Sequence, residues 1–247
     1  MTPNPPPDFR EVIGALSRTR SSHAAVFGDF CRVAACCFAL GTREEEYLEV
    51  AARYTREELD ALAEALGSLV LEMERKPFED VLGPHYLEVS SKATQDARGE
   101  FYTPREVSRA MARMLFDSDK AKEENRAITV LEPAAGAGGM VLALGELMAP
   151  AHVSLFRVTC WDVNPVAADM CYLNTTLWGI PAHVVWGDTL RRTVHRSWKN
   201  LHWARTGEDA RRAFETFSSS PSPSKVNVPA DREELSREVA AQLELGL

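Results

Sequence analysis

No run of about eighteen apolar residues, the length a membrane-spanning helix needs, occurs anywhere in the chain. Cysteine is sparse and badly spaced for pairing. Cys31, Cys36, Cys37, Cys160 and Cys171 are odd in number and include no C-x-x-C pair. That argues against a disulfide framework and against a zinc site, so no metal is expected, and a reducing cytoplasm is the expected setting. Positive charge is also short. With 28 Lys and Arg against 36 Asp and Glu, the net charge is −8. A globally basic nucleic-acid coat is excluded, and any DNA contact must come from a local basic patch. Met1–Phe9 is Pro-rich and polar, which is not the pattern of a signal peptide.

Hydrophobic residues, at 45%, are plentiful enough for a sizeable core. Residues 1–8 read as a disordered leader. Phe9–Leu40 reads as helical and is broken by Gly41-Thr42. Glu44–Tyr54 and Arg56–Arg75 read as two further helices, the second opened by Thr55 with Glu58 in a capping box. Its apolar stripe is Leu59, Leu62, Leu66, Leu69, Val70 and Met73. Pro77–Ser91 reads as a connector, and Pro104–Phe116 as a helix with proline in its first turn. Strands are expected at Ala127–Leu131, Val153–Trp161 and Ala182–Trp186, with helices at Met140–Met148 and Pro165–Leu177 between them. This β-α-β-α-β order predicts a parallel sheet with right-handed crossovers. No apolar β-type run follows Trp186, so about three strands are expected, with the first as an exposed edge that needs covering. Ser218–Ser224 reads as a Ser/Pro linker, and Asp231–Leu245 as an amphipathic helix.

The strongest chemical signal is Glu132-Pro133-Ala134-Ala135-Gly136-Ala137-Gly138-Gly139, lying between a strand and a helix. Glycines here let the backbone turn tightly and approach a ligand, and the helix start offers free N–H groups. The nicotinamide fingerprint would want Gly or Ala where Val141 stands. Asp162, at the end of the second strand, can accept two hydrogen bonds from ribose hydroxyls; the competing reading is a helix cap.

Four segments together resemble the adenine-N6 DNA methyltransferases, including type I modification subunits. Gly99-Glu100-Phe101-Tyr102-Thr103-Pro104 looks like G-[QE]-F-[YF]-T-P. Glu132–Gly139 looks like [DE]-P-A-x-G-[SA]-G. Asp162–Pro165 with Asn174 and Gly179 looks like acid-x-N-P … N-x-x-x-x-G-I, and Gly187-Asp188-Thr189-Leu190 like G-[DN]-[ST]-L. The chain also resembles short N-6 DNA methylase-like proteins of phages and mobile elements. They carry a D-x-L-G-x-x-Y lead-in, here Asp80–Tyr86, and a Trp-containing end. The resemblance implies an α/β fold: a Rossmann-like parallel sheet that binds S-adenosylmethionine, incomplete here and preceded by an all-helical N-terminal domain. It divides the chain into a helical domain at 9–92, a methyltransferase-like domain at 93–215, and the linker and C-terminal helix at 216–247. Phe101, Tyr102 and Thr103 would contact the methionine end of the cofactor. Glu132, Pro133, Ala134, Gly136 and Gly138 would line its centre. Asp162 would hold the ribose, with Asn164 beside it, and Asp188 would sit near the adenine amino group.

The family transfers its methyl group with [ND]-P-P-[YFW], and no such tetrapeptide stands between Leu190 and Leu247. No catalytic residue is therefore assigned. Two readings stay open. One is an adenine-N6 DNA methyltransferase, acting alone or with a partner protein that supplies the missing strands and the tetrapeptide. The other is a non-catalytic S-adenosylmethionine-binding subunit with a regulatory or anti-restriction role. Arg191–Arg212 holds seven Arg and Lys against two acids. Arg191, Arg192, Arg196 and Lys199 could meet DNA phosphates while Trp198 or Trp203 stacks on a base. The alternative is a solvated basic helix with its tryptophans packed on the body.

Overall fold

A computed structural model describes residues 8–20, 22–90, 102–123, 128–148 and 152–206, omitting the side chains of 121 and 122. Helix α1 (Phe9–Ser17) is capped by the Asp8 carboxylate, which accepts from the Arg10 N–H. The continuous helix expected over 9–40 is two helices. Ser22 caps α2 (His23–Cys37), and the chain then turns through left-handed Leu40 and Gly41. Helices α3 (Glu44–Ala51) and α4 (Arg56–Arg75) follow, and α4 opens on the Thr55/Glu58 capping box. The expected connector contains helix α5 (Leu82–Val89). Its Gly83-Pro84 pair reads as a breaker in sequence, yet proline is tolerated in a first turn. Asp80 accepts from the Leu82 and Gly83 N–H groups and caps that turn.

Helix α6 (Arg105–Leu115) starts just after Pro104, and α7 (Ser118–Glu123) is short. The α/β part then runs β1 (Ile128–Glu132), α8 (Gly139–Met148), β2 (Phe156–Asp162), α9 (Pro165–Leu177) and β3 (Ala182–Asp188). Strands β1/β2 and β2/β3 pair in parallel. A fourth strand, β4 (Thr193–Lys199), pairs antiparallel with β3, and a short helix α10 (Leu201–Arg205) follows. The expectation of three strands is corrected here, as is the helical reading of Arg191–Arg212 over Thr193–Lys199; Leu201–Arg205 is helical, and 207–212 lie outside the described residues. All of β4 except Trp198 is exposed, so the strand carries no apolar run. Turn geometry makes it instead. Arg192 is left-handed at φ 56°, and the register shifts between Trp186 and Gly187. A Cβ on Gly187 would collide with the Thr193 carbonyl. Gly187-Asp188-Thr189-Leu190 is thus the end of one hairpin strand and the start of its turn.

The order β1-β2-β3-β4 puts both crossovers on one face of the sheet. Helix α2 packs on α9, so the helical segment forms a third layer beyond the crossover helices. One core runs from Phe9, Phe27 and Phe30 through Leu142, Met170 and Leu173 to Val158 and Val184. The opposite face is thinly covered among the described residues, and Leu131 on β1 is 61% exposed. Strand β1 pairs only with β2 among those residues. The expected boundary at 92/93, the leader up to residue 7 and the segment 216–247 lie outside the described residues.

A buried charge cluster joins the layers. Arg43 is 1% exposed and donates to Glu46 (2.8 Å) and Asp169 of α9 (2.6 Å). Arg32 of α2 also pairs with Asp169. The Trp198 indole of β4 donates to Glu46 at 3.0 Å, and its ring lies 4.0 Å from the Arg43 guanidinium carbon. Burial disfavours the Glu46 anion, but the Arg43 hydrogen bond and charge outweigh it and hold that carboxyl below its usual range.

Candidate functional site

The glycine-rich loop leaves β1 at Glu132 and enters α8 at Gly139. Gly136 (φ 54°) and Gly138 (φ 92°) adopt left-handed backbone, where a side chain is strained. Their surroundings differ. A Cβ on Gly136 would lie 3.2 Å from the Tyr102 ring. A Cβ on Gly138 would lie 3.3 Å from the Cys171 sulfur of α9. Gly138 therefore lets helix and loop pack closely, and it lies outside the lining of the cavity described below.

Four bonds pin the loop. Ala135 N–H donates to the Trp161 carbonyl and Gly136 N–H to Asp162 Oδ2, both at 2.8 Å. The Thr189 hydroxyl donates to the Pro133 carbonyl at 2.7 Å. Asn174 Nδ2 donates to the Ala137 carbonyl (2.8 Å) and to Asp80 Oδ1 (3.0 Å). Each of the matched segments except the one reaching Phe101 thus contributes a bond to one loop.

Against this loop lies a cavity of about 480 Å³, lined among others by Asp80, Tyr102, Thr103, Glu132, Ala134 and Gly136. Two arginines on its α6 wall are neutralised: Arg105 pairs with Glu79 at 2.8 Å, and Arg109 with Glu146. Asp80 and Glu132 pair with no cation among the described residues. Burial pushes both carboxyls up, opposed at Asp80 by the Gly83 and Asn174 bonds and at Glu132 by the Ala134 N–H. A cavity with a glycine-opened wall and two uncompensated carboxylates suits a ligand of nucleoside size bearing net positive charge.

The residues expected at the site fall into three groups. Tyr102, Thr103, Glu132, Ala134 and Gly136 come together on the cavity wall. Asp162, Asn164, Pro133, Gly138 and Asp188 lie outside that lining, though Asp162 touches it through the Gly136 N–H. Asp162 accepts a second bond from the Asn164 N–H at 2.8 Å. Asn164 is 3% exposed, and its amide is spent within the fold. Its oxygen caps α9 at Val166 N–H, and its nitrogen donates to the Tyr86 hydroxyl at 2.9 Å. Asp188 accepts from the Arg191 N–H and holds the hairpin turn. Phe101 lies outside the described residues.

The basic segment also divides. Arg191, Arg192, Arg196 and Lys199 are exposed. Trp198 is 8% exposed, with its edge on Glu46 and its face on Arg43, so it has no face for a base. The Trp203 ring is flanked by Arg157, whose guanidinium carbon is 4.0 Å from its centre, and by His183. Asp80 had a sequence signal that went unassigned, the Asp of D-x-L-G. Ser108, which also lines the cavity, had none, since one serine in an amphipathic helix is indistinguishable from a polar surface position.

No curated protein matches the chain. Among solved structures, one provisionally assigned as a class I S-adenosylmethionine-dependent methyltransferase of Listeria monocytogenes is similar at 14% identity and a TM-score of 0.36. The match covers 70% of this chain and 51% of that one, so the chain spans about half the length of that structure. The family model of the N-6 DNA methylases matches residues 78–209, more than half of the sequence and every segment that builds the loop and the cavity; the chain belongs to that family, whose cofactor is S-adenosylmethionine.

Proposed function

We propose that this chain is the cofactor-binding half of an adenine-N6 DNA methyltransferase, and that the group accepting hydrogen bonds from the target amine comes from outside these residues. The observation that carries the reading is the convergence of Tyr102, Glu132 and Gly136 on one cavity at the carboxyl end of β1, the end of the sheet where open α/β folds bind ligands. When bound, S-adenosylmethionine supplies an electrophilic methyl group on a sulfonium. Asp162 would hold the ribose hydroxyls, and its grip on the Gly136 N–H fixes the loop beside them. Glu132 would offset positive charge in the cavity, and Tyr102 would close it against water.

An exocyclic adenine amine is a weak nucleophile, because its lone pair is delocalised into the ring. Positioning and hydrogen-bond acceptance supply much of the rate of such a reaction. The sequence holds no [ND]-P-P-[YFW], and β1 has a free pairing edge among the described residues. Both support a partner chain that adds strand and tetrapeptide together. The missing tetrapeptide equally favours the second reading, a non-catalytic regulatory or anti-restriction subunit. For DNA, the exposed Arg191 and Arg192 stand on the hairpin turn that Thr189 ties to the cofactor loop, so phosphates held there would lie beside the cavity.

The test has two steps. Calorimetry should show micromolar-range S-adenosylmethionine binding, the scale of about −8 kcal/mol. Labelled methyl incorporation into adenine-containing DNA is then measured with the chain alone and with candidate partners. Incorporation only with a partner supports the split site. Robust incorporation by the chain alone would falsify it, and no cofactor binding would overturn the reading altogether.

A further inference from the structure

The lead-in Asp80-Val81-Leu82-Gly83 is explained by the fold only in part. All three hydrogen bonds that Asp80 receives, from Leu82 N–H, Gly83 N–H and Asn174 Nδ2, go to Oδ1. Among the described residues no bond is made to Oδ2, and the residue lines the cavity. A Cβ at position 83 would collide with Oδ2 and stand 3.1 Å from the Tyr102 ring. Glycine at 83 therefore keeps open the space that Oδ2 occupies beside Tyr102.

A second feature lies on the same cavity. Ser108 is 1% exposed, and its hydroxyl has no hydrogen-bond partner among the described residues. It sits in the first turns of α6, an eleven-residue helix whose N-terminus has no side-chain cap. A buried hydroxyl without a partner is unfavourable, and an uncapped helix start attracts negative charge. The cavity thus carries an unpaired carboxylate oxygen on its lead-in wall and a donor beside a positive helix end on its α6 wall.

We propose that these two walls form a clamp for the zwitterionic end of the cofactor: Asp80 Oδ2 accepts from the α-ammonium, and the Ser108 hydroxyl donates to the α-carboxylate. The clamp rests on the cofactor reading above. It follows from the division of labour at the site. With the ribose at Asp162, outside the lining, the cavity beyond Gly136 receives the amino-acid end. Its arginines are already neutralised by Glu79 and Glu146, and Glu132 stands on the loop at the end of β1, which leaves Asp80 on the lead-in wall and Ser108 on the α6 wall facing the amino-acid end. A cation in the cavity also relieves the burial that pushes the Asp80 carboxyl up.

Calorimetry with two probes tests this: S-adenosylhomocysteine, and 5′-deoxy-5′-methylthioadenosine, which has the same nucleoside without the amino acid. Asp80→Asn should weaken S-adenosylhomocysteine about ten-fold or more, and Ser108→Ala about five-fold, the scale of a lost hydrogen bond to a charged group. Neither should change methylthioadenosine affinity by more than about two-fold. Ser108→Ala should also leave the melting temperature of the free protein unchanged or raised, since it removes an unpaired buried hydroxyl. A parent that binds both probes while the variants weaken neither, or both equally, overturns the clamp alone; equal loss of both probes marks a structural role. A parent that binds neither overturns the cofactor reading and the clamp with it.

Discussion

Replacing Arg43 with Met keeps an unbranched stem and removes the guanidinium and its charge. In the parent, the guanidinium is fully buried and donates to Glu46 and Asp169, both nearly as buried, with side-chain exposures of 6% and 1%. Removing one member of a buried ionic group leaves its partners charged and undercompensated, at about 3–5 kcal/mol. Arg32 still reaches Asp169, and the Trp198 N–H still reaches Glu46, so the lower end of that range is expected. For a unit of this size, each kcal/mol moves the melting temperature by about 2–4 °C. Arg43→Met should therefore lower it by roughly 6–12 °C at neutral pH, measured by calorimetry with a matched urea titration. The sign of the acid dependence follows from Glu46. Its carboxyl is held below the usual range in the folded parent, so its contribution is present above the ordinary glutamate pKa and is lost as pH falls below it. The gap between parent and variant should narrow through that window. Adding Asp169→Asn to Arg43→Met should cost less than the sum of the single changes, because it removes one stranded charge. A loss below about 1 kcal/mol for Arg43→Met, or full additivity in the double variant, would refute the claim that this cluster binds the layers together.

Gly136→Ala and Gly138→Ala should separate function from fold. Both incur left-handed strain of about 1–2 kcal/mol and both press on a neighbour, the first on the Tyr102 ring and the second on Cys171, so both should lower the melting temperature, while Gly136→Ala, on the cavity wall, should weaken S-adenosylmethionine more in calorimetry. Replacing Asp162 with Ala should weaken S-adenosylmethionine by roughly 1–3 kcal/mol, and calorimetry showing unchanged affinity in a folded variant would return that residue to loop support. Burial lowers the pKa of His85, with the Arg10 and His23 charges adding and the Glu88 bond opposing, so the histidine folds neutral. Its contribution is present above the unfolded histidine pKa and lost as pH falls below it; His85→Gln should flatten the decline in melting temperature between pH 7 and pH 5. On the hairpin, Arg191→Ala with Arg192→Ala should reduce the slope of log affinity against log salt by about 0.9 per arginine in DNA-binding titrations, and an unchanged slope removes this turn from the DNA surface.

Long elements with their own local signals were legible in the sequence. The α4 capping box and stripe, and the Pro165–Leu177 helix, appear within the expected bounds. Elements made by context were not. Strand β4 has no apolar run because a hairpin's outer strand needs only backbone bonds and a turn, and α5 was hidden by a Gly-Pro pair that a helix accepts in its first turn. At the site, the segments that carry the resemblance bring Tyr102, Glu132 and Gly136 to one cavity wall. Their spacing could not show that Gly138 faces α9 or that the Asn164 amide is consumed by a cap and by Tyr86, because side-chain direction is set by tertiary packing. Trp198 shows the same limit. Among arginines it reads as a stacking platform, and only the fold reveals that its partners, Arg43 and Glu46, come from the other end of the sequence.

That distance has a consequence for how the chain is made. Arg43 meets Asp169 across 126 residues and Glu46 meets Trp198 across 152. At a synthesis rate of about 5–20 residues per second, roughly 8–30 s pass between the emergence of Glu46 and that of the indole that covers it. Throughout that interval α1 and α4 can already close on each other, while Arg43 and Glu46 stay hydrated at an unfinished surface. A nascent chain stopped before β4 therefore presents a helical segment with open charges, and that earlier layer becomes dry only when the later hairpin folds over it.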